Sequence, residues 1–305
     1  MDYINIGAWD IRVTIDLYLG GIGVGAFLLS VLMSFYDVEK HTRSIKLGAY
    51  VAPISVGLGL ILLITKLGVP GKFLTTLWNT NSQSVMSIGS FLQTGFVIIA
   101  LYYALLIYRG TKPGVRLRVV QTIGSVFALS VALYHGLYLS SLGRVLWSEL
   151  TSGMFMASSF TSGIAFIMIL RHLLFANQIE GPSKMNNANL PLGLDRYQVL
   201  FFVFLMVQLV SIVLWQFYSG RLDLAQEHSY NYFMGNYGMI WTFVVLIGGT
   251  IIPTLIALYS LIQKQENMSA GITFLIGILI LVGGFAMKHL IIIGGQIQIP
   301  ISFNF

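Results

Sequence analysis

The stretch DLYLGGIGVGAFLLS, residues 16–30, decides how the rest of the chain is read. Its glycines, Gly20, Gly21, Gly23 and Gly25, look by composition like a dinucleotide-binding loop. Such a loop follows a β-strand, because the glycines let backbone N–H groups close on a pyrophosphate at a helix start. No strand pattern precedes these glycines; they lie within an apolar run covering residues 12–36. Roughly 20 helical residues cross a hydrocarbon core of about 30 Å. The run therefore reads as a membrane-spanning helix. Gly21 and Gly25, four residues apart, mark a face on which another helix can approach closely.

Composition agrees with a lipid solvent. Of 305 residues, 56% are hydrophobic and only 9% charged, with mean hydropathy +0.81. A water-soluble domain is nearer a quarter charged. Further apolar runs cover 47–66, 85–108, 119–141, 148–170, 197–219, 236–262 and 271–294. Backbone groups in lipid must bond within their own segment, and no alternating pattern suggests a barrel, so each run is a helix. The expected fold is an all-α integral membrane protein with eight transmembrane helices. The long loop 171–196, containing GPSKMNNANLPLG, divides it into two four-helix bundles, residues 1–170 and 171–305. The absence of cysteine excludes disulfides, thiolate zinc sites and cysteine-ligated iron–sulfur clusters from this chain. The first eleven residues lack a basic stretch, so no cleaved signal peptide is expected.

Charge sets the orientation. Lys and Arg collect in cytoplasmic loops. Eleven of the 17 fall in one set of loops, around 40–46, 109–118, 171–196 and 264, whereas Arg12, Lys66, Lys72, Arg144 and Arg221 lie at the opposite ends. Both termini are thus expected on the outer, periplasmic side of the cytoplasmic membrane. The net charge of +6 follows from this topology and does not call for a nucleic-acid partner.

Ionisable groups near the spans crowd the outer leaflet: Asp16, Lys66, His135, Arg144, Glu149, Lys288 and His289. The middle of the bilayer and its inner half are expected to hold only neutral polar residues, such as Gln93 and Gln208. A charge in hydrocarbon costs several kcal/mol unless paired or hydrated, so a one-sided layer drawn from several helices points to a polar pocket opening outward. Blander readings exist for single residues. Arg12 and Asp16 stand four apart and can pair, and Lys66 can snorkel. Trp9, Trp78 and Trp147 fit an aromatic belt at the outer interface, and Tyr102 and Tyr103 fit core or lipid-facing filler.

Four stretches resemble the NrfD-like family, the membrane subunit of polysulfide reductase and related molybdenum respiratory enzymes. They are DLYLGGIGVGAFLLS (16–30), LGVPGKFLTTLWNTNSQSVMSIGSF (67–91), YHGLYLSSLGRVLWSELTSGMFMASSFTSG (134–163) and LVGGFAMKHLIIIGGQ (281–296). Val69, Ile88 and His135 depart from the family pattern, which commonly has a basic residue, Trp and Thr there, and Lys288 stands where Arg is usual. The resemblance implies a quinone or menaquinone bound near the outer face as substrate, with no haem and no iron–sulfur cluster in the chain itself. It also implies two partners on the outer side, a four-cluster ferredoxin-like iron–sulfur subunit and a molybdopterin catalytic subunit. The terminal substrate then belongs to the partner.

A quinone head group needs hydrogen-bond partners for its carbonyls and a proton carrier, while its tail needs lipid. Tyr134 is assigned by the resemblance as a carbonyl donor. Residue chemistry adds His135 as proton carrier, because imidazole titrates nearest neutral pH. Asp16 is the expected proton acceptor, and Lys66 an anchor for the opposite carbonyl or a countercharge for Asp16. Pro70, Lys72, Phe73, Trp78 and Arg144 are expected to meet the iron–sulfur partner, and no metal site is expected. Because carboxylates and histidines are absent from the inner half of the spans, quinol protons are expected to move only on the outer side, without pumping. Two other functions compete. A haem-b quinol cytochrome would use His135 and His289 as axial ligands. A secondary transporter would want broken helices around a midplane site, which an off-centre polar layer disfavours.

Overall fold

A computed structural model describes residues 4–5, 9–36, 38, 41–66, 71, 84–175, 196–219, 221, 224–263 and 270–298. Among them are eight helices long and apolar enough to span a membrane. They are α1 (Ile11–Tyr36), α2 (Thr42–Lys66), α3 (Val85–Tyr108), α4 (Val115–Ser140), α5 (Leu150–Phe175), α6 (Arg196–Ser219), α7 (Leu224–Ile262) and α8 (Ala270–Gly294). Among the described residues the fold is all-helical apart from a two-residue antiparallel pairing, Ile4 with Gln298 and Asn5 with Ile297. That pairing brings the two ends of the chain together at one end of the bundle, here termed the terminal end.

Sequence and structure differ most at α7. Hydropathy starts this span at 236, but the helix begins twelve residues earlier, at Leu224. Polar residues hide its first turns from hydropathy. Its middle, Trp241–Ile251, is π-helical, before Pro253. Proline supplies no N–H to the carbonyl four residues back, so a wider winding just before it wastes no α-helical bond. Thr250 Oγ1 donates to the Val245 carbonyl, five residues earlier, at 3.0 Å. Gly249 lies against Gly283 of α8: a Cβ on Gly249 would come within 2.6 Å of the Gly283 Cα.

Helices α1 and α5 form the centre of the bundle. Apolar side chains gain little by leaving lipid for one another, so helices in a membrane associate where small residues let backbones approach. The glycines of 20–25 show this position by position. Gly20 faces His135 of α4; Gly21 faces Lys288 of α8 and Ser159 of α5; Gly23 faces Ala52 and Val56 of α2; Gly25 faces Ser159 and Gly163 of α5. The glycine run is therefore a hub that admits four helices, more than the single close partner a Gly21/Gly25 pair requires.

Two sequence readings are corrected by packing. Trp147 is not a belt residue at the lipid interface: its ring is buried, and Nε1 donates to the Ile291 carbonyl at 2.8 Å. Arg12 does not pair with Asp16. Its guanidinium bonds Asp10, with Nη2 2.7 Å from Oδ2, because both lie at the exposed start of α1 while Asp16 points inward. Tyr103 is core, fully buried with its hydroxyl 2.9 Å from Ser30 Oγ, whereas Tyr102 is exposed and bonded by Arg116.

Candidate functional site

Asp16 lies five residues into α1, about 7 Å along the helix from its start. Its side chain is buried against α2, where a Cβ on Gly59 would sit 2.9 Å from Oδ1. One turn of α1 further on, the missing side chain of Gly20 leaves room for His135: a Cβ there would be 2.7 Å from the imidazole Cε1. His135 is fully buried. Its Nε2 lies 3.1 Å from Nε2 of Gln93 on α3. An amide NH2 only donates, so with this amide orientation His135 Nε2 accepts and Nδ1 carries the proton. That Nδ1 is buried without a hydrogen-bond partner among the described residues.

Tyr134, the neighbouring residue of α4, is half-buried, with its ring laid over the bare backbone of Gly89 on α3. It begins a run of rings. Tyr134 stacks on Tyr138 at 5.7 Å between centroids, Tyr138 stacks on Trp9 at 5.3 Å, and Trp9 meets Trp147 at 5.5 Å. Trp9 is held by Gln296: its N–H donates to Gln296 Oε1 at 2.8 Å, and Gln296 Nε2 donates to the Trp9 carbonyl at 2.9 Å. The joined chain ends thus support the ring next to the site.

The fourth group is Lys288 of α8. It is buried, and its ammonium donates to the Leu17 carbonyl at 2.9 Å and to Ser159 Oγ at 3.2 Å. The rings of Phe155 and Tyr18 stand 5.4 and 6.0 Å away. Among the described residues no carboxylate lies within ion-pair distance of it. Leu17, whose carbonyl it binds, is the residue after Asp16 on α1, and His135 packs against Gly20 of the same helix. One buried positive group, one buried carboxyl group, an imidazole and a phenol thus share a single low-dielectric region, where unscreened charges matter most.

The structure therefore brings together Asp16, Tyr134 and His135. The side chain of Lys66 and the residues Pro70, Lys72, Phe73 and Trp78 lie outside those described. Arg144 is at the same end, its Nη1 3.3 Å from the Gly295 carbonyl and its guanidinium 5.0 Å from the Trp147 ring. His289 is turned elsewhere, with Nδ1 3.0 Å from Thr14 Oγ1 and its ring stacked on Phe285.

Gln93, read from sequence as a mid-depth residue, is a member of the cluster. The signal lies in residue order: Gln93 stands eight residues from the start of α3, and His135 five from the end of α4, within about one helical turn in depth. Residue order also puts Lys288 in the polar layer without giving it a role. The stack of Tyr138 on Trp9 leaves no signal there, because the contact joins segments far apart in the chain.

Comparison with known proteins identifies the family. The family model described as "Polysulphide reductase, NrfD" matches residues 3–300. A polysulfide reductase chain of Wolinella succinogenes is 24% identical over 312 residues, covering 96% of this chain and 95% of that protein. The protein NrfD homolog of Haemophilus influenzae is 23% identical over 316 residues, covering 95% of each. A selenate reductase subunit of Mesobacillus selenatarsenatis is 28% identical over 83 residues, which is 27% of this chain and 20% of that protein. With nearly its whole length matched, and with the eight membrane-spanning helices the family membership implies, the chain belongs to the polysulphide reductase NrfD family, as a membrane subunit of an oxidoreductase complex.

Proposed function

We propose that this chain binds quinone or quinol and exchanges electrons between the membrane pool and an extracytoplasmic iron–sulfur subunit, which in turn serves a molybdopterin catalytic subunit. The terminal end of the bundle then faces away from the cytoplasm, at the cytoplasmic membrane, in keeping with the basic loops at the opposite end. The observation that carries this reading is the buried Nδ1 of His135, partnerless among the described residues, on a ring that follows Tyr134 on α4 and packs against Gly20, one turn of α1 from Asp16. A donor without a partner in a low-dielectric interior costs about 1–3 kcal/mol, and a ligand carbonyl removes that cost.

The site can perform the proton half of the reaction. Oxidation of a quinol releases two electrons and two protons. The electrons leave to the partner's redox centre. Asp16 as carboxylate accepts one proton; His135 accepts the other at Nδ1 in the tautomer whose Nε2–H donates to Oε1 of a turned Gln93 amide, and Tyr134 donates a hydrogen bond to a quinone oxygen. The positive charge of Lys288 shares this low-dielectric region with Asp16 and offsets a negative charge on it. In quinone reduction the same groups return the protons. The haem alternative fits less well: two axial imidazoles must turn to one iron, whereas His135 Nε2 engages Gln93 and His289 Nδ1 engages Thr14.

Binding of a short-chain naphthoquinone to the purified chain in lipid nanodiscs, followed by quenching of tryptophan fluorescence, tests the reading. Tyr134→Phe and His135→Leu are expected to weaken binding at least tenfold while the helical signal persists. Unchanged binding in both variants, or a Soret band in the purified chain, would overturn it.

A further inference from the structure

At the end of the bundle opposite the termini, α3 and α4 carry cations without acids. Arg109 closes α3, Lys112 lies in the turn that follows, and Arg116 is the second residue of α4. All three are exposed. Residues 85–148, which hold both helices and their turn, contain no Asp or Glu. Among the described residues none of the three cations has an ion-pair partner. The acids that follow α1, Asp37 and Glu39, lie outside those described. Arg118 is engaged inside the bundle: Nη2 donates to the Ser34 carbonyl at 3.3 Å, Nη1 donates to Gln121 Oε1 at 3.2 Å, and the guanidinium lies 3.8 Å from the Phe35 ring.

Arg116 is held on the lipid-facing surface. Its Nε donates to the Tyr102 hydroxyl of α3 at 2.8 Å, and its Nη2 donates to the same oxygen. Tyr102 is itself exposed and stands six residues before the end of α3, about 9 Å along the helix. A long basic side chain at a helix end ordinarily carries its charge outward to water. Here a hydroxyl on the neighbouring helix keeps the guanidinium against the membrane face, and Nη1 has no partner among the described residues. Below it the surface is apolar. Val119, Ile123 and Val126 continue the stripe of Arg116 along α4, at spacings of three and four residues, and Ile98 and Leu105 flank Tyr102 on α3 in the same way; all five are exposed.

A fixed guanidinium above an apolar wall matches one kind of molecule, a phospholipid with a net negative headgroup. A guanidinium binds phosphate oxygens through two parallel N–H groups, and clustered Lys and Arg at a membrane surface attract anionic lipid. We propose that Arg116, positioned by Tyr102 and assisted by Arg109 and Lys112, binds the phosphate of an anionic phospholipid whose acyl chains lie along α3 and α4. The site is independent of the quinone reading, being at the other end of the bundle.

Native mass spectrometry of the detergent-purified chain, titrated with dioleoylphosphatidylglycerol or dioleoylphosphatidylcholine, tests the proposal. The anionic lipid is expected to bind at least tenfold more tightly. Arg116→Gln should weaken it at least tenfold, whereas Lys46→Gln, which removes the same charge from an exposed position at the same end on α2, should change it less than twofold. Tyr102→Phe keeps every charge and should still weaken binding at least threefold; it serves as the decisive variant if Arg116→Gln lowers the helical signal. Equal affinity for the two lipids overturns the site. So do equal losses in Arg116→Gln and Lys46→Gln, which would reduce it to a diffuse field, and unchanged binding in Tyr102→Phe. Displacement of the lipid by millimolar glycerol 1-phosphate also overturns it, by showing a site for free phosphate esters.

Discussion

His135 and Gln93 meet across α4 and α3, their Nε2 atoms 3.1 Å apart, in a place where both side chains are buried. The contact fixes the imidazole and leaves Nδ1 as its free donor. Gln93→Leu is therefore expected to act in two ways. It strips His135 of its only hydrogen bond given by the described residues, at a cost of about 1–3 kcal/mol. It also frees the ring to turn, so naphthoquinone affinity should fall. Thermal unfolding in detergent and the nanodisc titration read the two effects; a variant unchanged in both would show that the contact positions nothing.

Lys288 reaches α1 beside Asp16, bonding the Leu17 carbonyl at 2.9 Å, with no ion pair to Asp16 among the described residues. Removing one charge leaves the other buried and uncompensated, the situation in which single substitutions at buried charged sites cost several kcal/mol. Lys288→Met and Asp16→Asn are each expected to destabilise the chain, and the double variant to lose less than the sum, with a coupling of about 0.5–3 kcal/mol. A double-mutant cycle of unfolding free energies measures this. Strict additivity would mean that the two groups act independently.

The glycine hub predicts position-specific damage. A Cβ at Gly21 would stand 2.5 Å from Lys288 Nζ and 2.6 Å from Ser159 Oγ. At Gly163 it would stand 2.5 Å from the Gly25 Cα, backbone that cannot rotate away. Alanine at either position is expected to cost about 1–3 kcal/mol by overpacking. Gly57→Ala and Gly153→Ala meet nothing within 4 Å and should be close to neutral. Melting temperatures of the four variants give the comparison.

Proton movement should be one-sided. Beyond the cluster a neutral group of buried residues is already bonded: Thr161 donates to Gln208, Gln208 Nε2 reaches Thr250 Oγ1 at 3.5 Å, and Thr250 and Thr254 bond backbone carbonyls. The complex in proteoliposomes, supplied with a naphthoquinol and an acceptor for the catalytic subunit, should release protons on the terminal side only. Quinol-coupled uptake from the opposite compartment would contradict this.

Opening the terminal clasp should loosen the ring stack. Gln296→Ala deletes both bonds to the Trp9 backbone, each worth about 1 kcal/mol. The expected result is a lower melting temperature and a red-shifted tryptophan emission as Trp9 leaves Tyr138.

Much of this architecture is legible in residue order. A helix in lipid must bond its own backbone, and its rise per residue is fixed, so apolar run length yields eight spans, and distance from a helix end yields the depth of Asp16, His135 and Lys288. The same arithmetic, applied strictly, also reaches Gln93. It fails at α7, where a polar helix leaves the bilayer and hydropathy no longer reports it. Depth says nothing about direction, however. That Gly20 opens onto His135 and Gly21 onto Lys288, that Arg12 turns to Asp10 and leaves Asp16 to the interior, and that Trp147 is core are matters of which helix stands beside which. Those choices depend on close packing between segments distant in the chain, and only the folded bundle decides them.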